Sequence, residues 1–267
     1  MGRRPPTVFL YTDYSSESLD TDVIAEHLNW LGIPTVKRGD LFQFLGNSEA
    51  CRRIAGLMAR SRVADIGEPL DALLPESPAD ADSELRKMTG CESVRGEFYD
   101  GLWLQRILHR ALADKAPGEP DGLSVHMVFT GRLFGTYGER RYHARVILTG
   151  SPALISTSGL VEAPARPGEY YFIKGGLLRS GGDISELDRM YKGRYVEYDD
   201  PRTSPIMCSY ALQAVYYELI GNEFCGDAGC CLYNSHWQEE VLRIQYEGNM
   251  CKKCVEELKE FLILGKG

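Results

Sequence analysis

The sequence predicts an α/β (α+β) fold closed at its C-terminal end by a cysteine knuckle and a last helix. Three observations carry this expectation. The chain opens with a β-α-β pattern, and its apolar period switches from helical to alternating near residue 123. Near the C-terminus, four cysteines stand at metal-ligand spacing.

Thr7 to Thr12 (TVFLYT) is a short buried-strand pattern. Ser18 to Leu31 sets Ile24, Leu28 and Leu31 on one helical face, and Pro34 to Lys37 reads as a second strand. Gly67 to Asp82 carries three prolines and several acids, so residues 64–86 are expected to form a mobile insertion. Tyr99 to Ala113 is helical, with an apolar stripe of Leu102, Leu104, Ile107, Leu108 and Leu112, and Lys115 to Gly122 is a proline and glycine link. Leu123 to Thr130 and Tyr142 to Thr149 read as strands joined through Arg132 to Arg141, a hairpin or an adjacent pair. Residues 151–200 are expected to be loop-rich. Ser204 supplies an N-cap, Pro205 the first helical position and Gly221 a C-terminal stop, which defines one further helix. The expectation is one domain over 1–267, with a helix and metal-binding subregion at 204–267. No internal repeat or low-complexity run is visible.

Length and charge bound the function. A chain of 267 residues can bury a substantial core. With 30 Lys and Arg against 38 Asp and Glu, the net charge of −8 argues against nucleic acid or an anionic membrane as partner. No apolar stretch reaches the ~20 residues of a membrane helix, and Met1 to Thr7 has no signal-peptide core, so a cytoplasmic location is expected. Eight cysteines in such a chain suggest reduced thiols and a metal rather than a disulfide framework.

Cys225 and Cys230 form C-x4-C, and twenty residues later Cys251 and Cys254 form C-x2-C. Two short pairs separated by an excursion let four thiolates converge on a tetrahedral ion, and Zn²⁺ is the usual occupant of a closed all-thiolate site. One structural zinc is the expectation; unrelated core thiols or disulfides are the alternative. The neighbouring Cys230 and Cys231 leave open which of them faces the metal, and His236 is a reserve ligand. The second pair opens an amphipathic run (Val255, Leu258, Phe261, Leu262), whose helix N-terminus favours ionised thiols.

The helix closed by Gly221 runs directly into Cys225. Helix and cysteines together resemble the archaemetzincins, zinc-dependent metallopeptidases in which H-E-x-x-H-x-x-G-x-x-H is followed by C-x4-C and later by C-x2-C. The four cysteines and Gly221 match, and the order of elements is similar over most of the chain, including the Arg95, Gly96 and Tyr99 segment before a helix. Only the cysteine spacing is specific. Leu232 stands where the family usually has methionine, and the gap to the last cysteine pair is slightly long. The resemblance implies a metzincin-like mixed sheet with an active-site-type helix and a structural zinc knuckle.

Placed in the family's register, Ala214 and Glu218 occupy the first two histidine positions, Val215 that of the general base, and Phe224 that of the third histidine. A catalytic zinc needs about three protein ligands and an open position to activate water. Ala214 and Phe224 offer no ligand atom and Val215 cannot take a proton. None of the five histidines (His27, His109, His126, His143, His236) belongs to an H-E-x-x-H pair. The resemblance therefore implies a homologue without conventional zinc-peptidase catalysis, binding a peptide or protein along the sheet edge. An active hydrolase with a rebuilt metal site, from Glu218 with His126 or His143, is the alternative. A zinc-ribbon-like module, in which the knuckle itself meets a partner, is a third reading.

Other residues carry lesser expectations. Arg132, Arg140 and Arg141 form either a carboxylate-binding cluster or a solvated turn. Pro152 to Arg166 would lie near the family's substrate edge, as binding loop or connection. Tyr170, Tyr171, Tyr210, Tyr216 and Tyr217 would line a cleft or pack. Cys51, Cys91 and Cys208 read as buried thiols.

Overall fold

The computed structural model describes residues 6–13, 18–46, 48–119 and 124–264. The basic start at residues 1–5 and the end of the proline and glycine link at 120–123 lie outside them. The opening β-α-β is present as β1 (Thr7–Thr12), α1 (Thr21–Trp30) and β2 (Thr35–Asp40). Asp20 caps α1 by accepting from the Asp22 N–H at 2.8 Å. There follow α2 (Leu41–Leu45), α3 (Ser48–Ala59), α4 (Pro78–Met88), β3 (Phe98–Asp100) and α5 (Gly101–Lys115). The chain continues through β4 (Ser124–Thr130), β5 (Leu133–Gly138), β6 (Arg141–Arg145), β7 (Ile147–Leu148) and β8 (Ala153–Ser156). Six helices complete the described chain: α6 (Thr157–Glu162), α7 (Gly168–Ser180), α8 (Ile184–Met190), α9 (Thr203–Ile220), α10 (Gln238–Ile244) and α11 (Lys252–Leu264).

The main sheet has the order β2-β1-β4-β8-β7, with β1, β2, β4 and β8 parallel and the edge strand β7 antiparallel to β8. A smaller sheet, β3-β5-β6, stands beside it. Parallel strands buried on both faces need apolar residues at successive positions, and side-chain alternation then builds two cores. Val8, Leu10, Val125, Met127, Phe129, Ala153 and Ile155 point to one core with α1 and α9. Tyr11, Val128 and Leu154 point to the other, with α2, α3 and α5.

Several expectations are corrected by this architecture. The anticipated hairpin of Leu123–Thr130 with Tyr142–Thr149 does not form. Instead β5 and β6 pair through a two-residue turn at Glu139 and Arg140, both at positive φ (51° and 67°), in the second sheet. The stretch from Arg141 to Leu148 passes from one sheet to the other, and the carbonyl of Val146 still accepts from the Ser156 N–H at 2.7 Å. Residues 151–200 hold a strand and three helices rather than loops. Helix α9 begins at Thr203, so Ser204 lies inside it. The Ser204 hydroxyl donates to the Ser18 carbonyl and accepts from the Asp20 N–H, tying α9 to the start of α1.

The segment expected as a mobile insertion ends in α4, and its loop is tied down. The Trp103 Nε1–H donates to the Leu70 carbonyl and the Leu74 N–H to the Arg60 carbonyl, each at 2.9 Å. Helix α4 also carries Glu84, which is 0% exposed and accepts from Arg132 (3.0 and 2.8 Å), Arg62 (2.9 Å) and the Tyr99 hydroxyl (2.8 Å). Arg132, read from sequence as a turn residue beside Arg140 and Arg141, is 1% exposed and also reaches Asp13 at the end of β1, at 2.5 Å. Arg140 and Arg141 remain on the surface. In an open sheet the carboxyl ends of strands at the switch in connection direction form a crevice. Here that point, between β1 and β4, is bridged by the Arg132 guanidinium.

Burial opposes the charge on Glu84, but the Arg132 charge and the hydrogen bonds from Arg62, Tyr99 and Arg132 outweigh it and hold the carboxyl below its usual range. Its folded pKa is thus lowered, so its contribution is present at neutral pH and is lost as pH falls through the carboxylate range. Glu84→Ala should lower unfolding free energy by about 3–5 kcal/mol, because it leaves Arg132 buried with one partner fewer. Urea denaturation at pH 7 checks this, and a loss under about 1 kcal/mol would mean that Asp13 alone satisfies the guanidinium.

Candidate metal centre and groove

The knuckle is shaped by short-range backbone bonds. The Cys225 N–H donates to the Leu232 carbonyl at 2.9 Å and the Cys230 N–H to the Asp227 carbonyl at 3.0 Å, folding the C-x4-C segment into a loop with both thiols on one side. Cys251 precedes α11 and Cys254 lies in its first turn. The sulfurs of Cys225, Cys230, Cys251 and Cys254 all lie within 4.8 Å of one another. Cys225 and Cys251 Sγ are 3.8 Å apart. Zn–S bonds of about 2.3 Å in a tetrahedron require S···S edges of about 3.8 Å, so the donor set fits one zinc ion.

Backbone N–H groups orient the sulfurs: Asp227 N–H lies 3.4 Å from Cys225 Sγ and Cys251 N–H 3.4 Å from Cys230 Sγ. The Cys254 N–H at the start of α11 favours the Cys251 thiolate and lowers its pKa. Burial raises those of Cys230 and Cys254, an opposition that a divalent cation would remove. The structure brings Cys230, not Cys231, into the cluster. Cys231 is buried outside the cluster, its thiol pushed up to about 12 by burial, while its carbonyl accepts from Gln213 and Gln245. His236 is not in the cluster either.

The knuckle is fastened to α9 at three levels. The Tyr216 hydroxyl lies 3.2 Å from the Cys254 carbonyl and 2.5 Å from Glu257 of α11. Gln213, fully buried, donates to the carbonyls of Cys231 and Tyr233, and the Ser209 hydroxyl donates to the Gln245 carbonyl at 2.7 Å. Gly221 ends α9 at φ 82° as a left-handed cap, the role its position in the sequence predicts.

Ala214 and Val215 are 0% exposed and belong to the core between α9 and the sheet. Glu218 is half-buried, and burial pushes its carboxyl above the usual range. Phe224 lines a groove of about 300 Å³ beside β7, but Glu218 does not. His126 and His143 are not brought together. His126 sits in the main sheet with Nδ1 3.1 Å from the Tyr11 hydroxyl, whereas His143 sits in the small sheet with Nε2 3.0 Å from the Gly138 carbonyl. Among the described residues, the four cysteines are the one group that could hold a metal through three or more His, Cys, Asp or Glu side chains.

The groove draws on separate parts of the chain: Thr136 of β5, Ala144 to Leu148 on the strand edge, Ala163 and Pro164 after α6, Tyr210 of α9, and Glu223, Phe224 and Asn234 to His236 around the knuckle. Ala163 and Pro164 belong to the segment expected at the substrate edge. Of the five tyrosines considered, Tyr210 lines the groove, Tyr170 packs in a small core with Leu187, Tyr191 and Tyr195, Tyr216 anchors the knuckle, and Tyr171 and Tyr217 are exposed. Sequence reasoning did not single out Arg145 or Glu223, because a lone charge in a strand or after a helix has no local signature. Cys208 is buried as expected, but Cys51 is half-buried and Cys91 exposed.

Fold and site together define a mixed-sheet α/β domain in which four cysteines, locked to a long central helix, can hold one zinc ion. The chain belongs to the family described as "Probable metallopeptidase family (DUF6775)", whose model matches residues 4–261, which bears out the metallopeptidase resemblance. It is similar to a zinc-dependent peptidase from Methanocorpusculum labreanum (strain Z), 13% identical, with 94% of this chain and 99% of that chain covered and a TM-score of 0.49. It is also similar to archaemetzincin from Methanopyrus kandleri, 14% identical, with 97% and 96% covered and a TM-score of 0.44. No curated protein matches the chain. Among the described residues, no helix is long and apolar enough to cross a membrane.

Cys254→Ser should abolish zinc binding and lower the melting temperature strongly, because structural zinc affinity is part of the folding free energy. Cys231→Ser should keep its zinc. Metal analysis of both purified variants checks the assignment, and zinc lost from Cys231→Ser but kept by Cys254→Ser would reverse it.

Proposed function

We propose that this chain is a non-catalytic member of its family, a pseudoenzyme that binds a peptide or protein segment in the groove beside β7, with one structural zinc holding the groove's far wall. The observation that carries this reading is the chemistry at the register positions of the lost motif. Ala214 and Val215 are sealed in the core, and Phe224 presents a ring where a ligand nitrogen would be needed. A water-activating metal lacks both its ligands and its base there. The groove beside an edge strand supports a binding role, because an extended chain can pair with exposed strand groups while its side chains enter the groove.

The partner is a polypeptide rather than nucleic acid or a membrane, a reading supported by the net charge of −8. The site of action is the cytoplasm, supported by eight cysteines without a disulfide. A second reading, an active hydrolase with a rebuilt metal site, draws support from one observation: Glu223, His236 and Tyr210 line the same groove. These replace Glu218, His126 and His143 as the residues it would need.

Plasma mass spectrometry on protein purified without added metal should give about one zinc per chain, lost in Cys254→Ser. A quenched fluorogenic peptide library should remain uncleaved. Two equivalents, one of them surviving in Cys254→Ser, together with cleavage lost in Glu223→Gln, would establish the hydrolase instead.

A further inference from the structure

We infer that the groove recognises the C-terminal end of a polypeptide, with the terminal carboxylate paired to Arg145. This rests on the peptide-binding reading above and narrows it to chain ends. The groove's volume of about 300 Å³ is at the small end for ligand sites, which suits a chain terminus better than a long internal segment.

Arg145 is the arginine of the groove, with its side chain exposed at the rim. It is the last residue of β6, and its carbonyl packs so closely on α6 that a Cβ at Gly159 would collide with it. Its Nε–H donates to the Thr136 hydroxyl at 2.9 Å, which orients the guanidinium plane. Among the described residues no carboxylate pairs with it, so its remaining N–H donors are left for a ligand. A planar fork of donors matches a carboxylate in two parallel bonds.

The groove also contains one acid, Glu223, whose carboxylate accepts from the Thr149 hydroxyl at 3.2 Å and forms no ion pair with Arg145. A terminal carboxylate is drawn to Arg145 and repelled by Glu223, so the two charges set the direction in which a chain end lies. Alongside them runs the two-residue edge strand β7, which among the described residues pairs in its sheet with β8 alone, so its outer side can offer main-chain hydrogen bonds. Strand edge and cation together describe a site for a peptide's last residues.

The test uses the zinc-loaded, ¹⁵N-labelled full chain and two N-acetylated randomised tetrapeptide pools, one with free C-terminal carboxylates and one amidated. The free-acid pool should shift the amide signals of Ile147 and Leu148 and bind about tenfold or more tightly than the amidated pool, the worth of one charge-assisted hydrogen-bonded contact. Arg145→Gln should bring free-acid binding down to the amidated level with zinc content unchanged. Arg145→Lys should fall between, and Arg141→Gln, outside the groove, should have no effect. Equal binding of the two pools, or free-acid binding undiminished in both Arg145 variants, would overturn the carboxylate inference while leaving the peptide-binding reading standing. If neither pool shifts the signals, the peptide-binding reading falls, and the inference with it.

Discussion

The convergence of four cysteine sulfurs is the constraint on which the functional half of the molecule depends. Helix α9 is apolar almost all round and buried from Thr203 to Tyr216, except at Pro205. Such a helix is stable only when covered on every side. The sheet covers one side and α1 another; the knuckle covers the rest, through Tyr216, Gln213 and the bond from Ser209 to Gln245. Drawing Cys225 and Cys230 onto the start of α11 therefore does more than close a loop. It sets the path of Asn234 to His236, one wall of the groove, against a helix that would otherwise expose its core face.

The contact of α4 with the sheet depends on a different device. Arg132 leaves the end of β4, Asp13 ends β1, and Glu84 comes from α4, so one buried guanidinium joins three parts of the chain. Buried ion pairs add little stability over an apolar replacement when complete, yet breaking one is expensive. Their value lies in geometry. A guanidinium with both carboxylates in place fixes the position of α4 on the sheet, where an apolar contact would tolerate sliding.

Legibility in the sequence followed the range of the interactions. The opening β-α-β and the helix ending at Gly221 were readable because period and capping are local. The cysteine pairs were readable because ligand spacing is local too, but the choice between Cys230 and Cys231 was not. It turns on a bond from the Cys230 N–H to Asp227 and on Cys231 being held by two glutamines from elsewhere in the fold. Arg132 looked like a turn arginine because its principal partner lies 48 residues away. Helix α7 was hidden among glycines, with apolar residues on both its covered and its exposed sides, so no helical stripe marked it. Arg145, Glu223 and His236 come from three stretches, and only the tertiary fold makes them neighbours.

Two positions at the centre of α9 bear on the non-catalytic reading, because both are taken up by packing. In a metal-binding version of this helix, residues 214 and 215 would have to present an imidazole and a carboxylate to an open cleft. Here Ala214 and Val215 are completely covered and contribute to the same core as Met127 and Ile155. A histidine at 214 would add volume at a fully buried position, and a glutamate at 215 would bury a carboxyl within an apolar core cluster. Each change alone destabilises the helix that the zinc knuckle exists to cover. On the non-catalytic reading, the fold itself opposes building a catalytic metal at these positions by single substitutions, and the polar and aromatic groups that this part of the chain offers to the groove are Tyr210, Glu223 and Phe224.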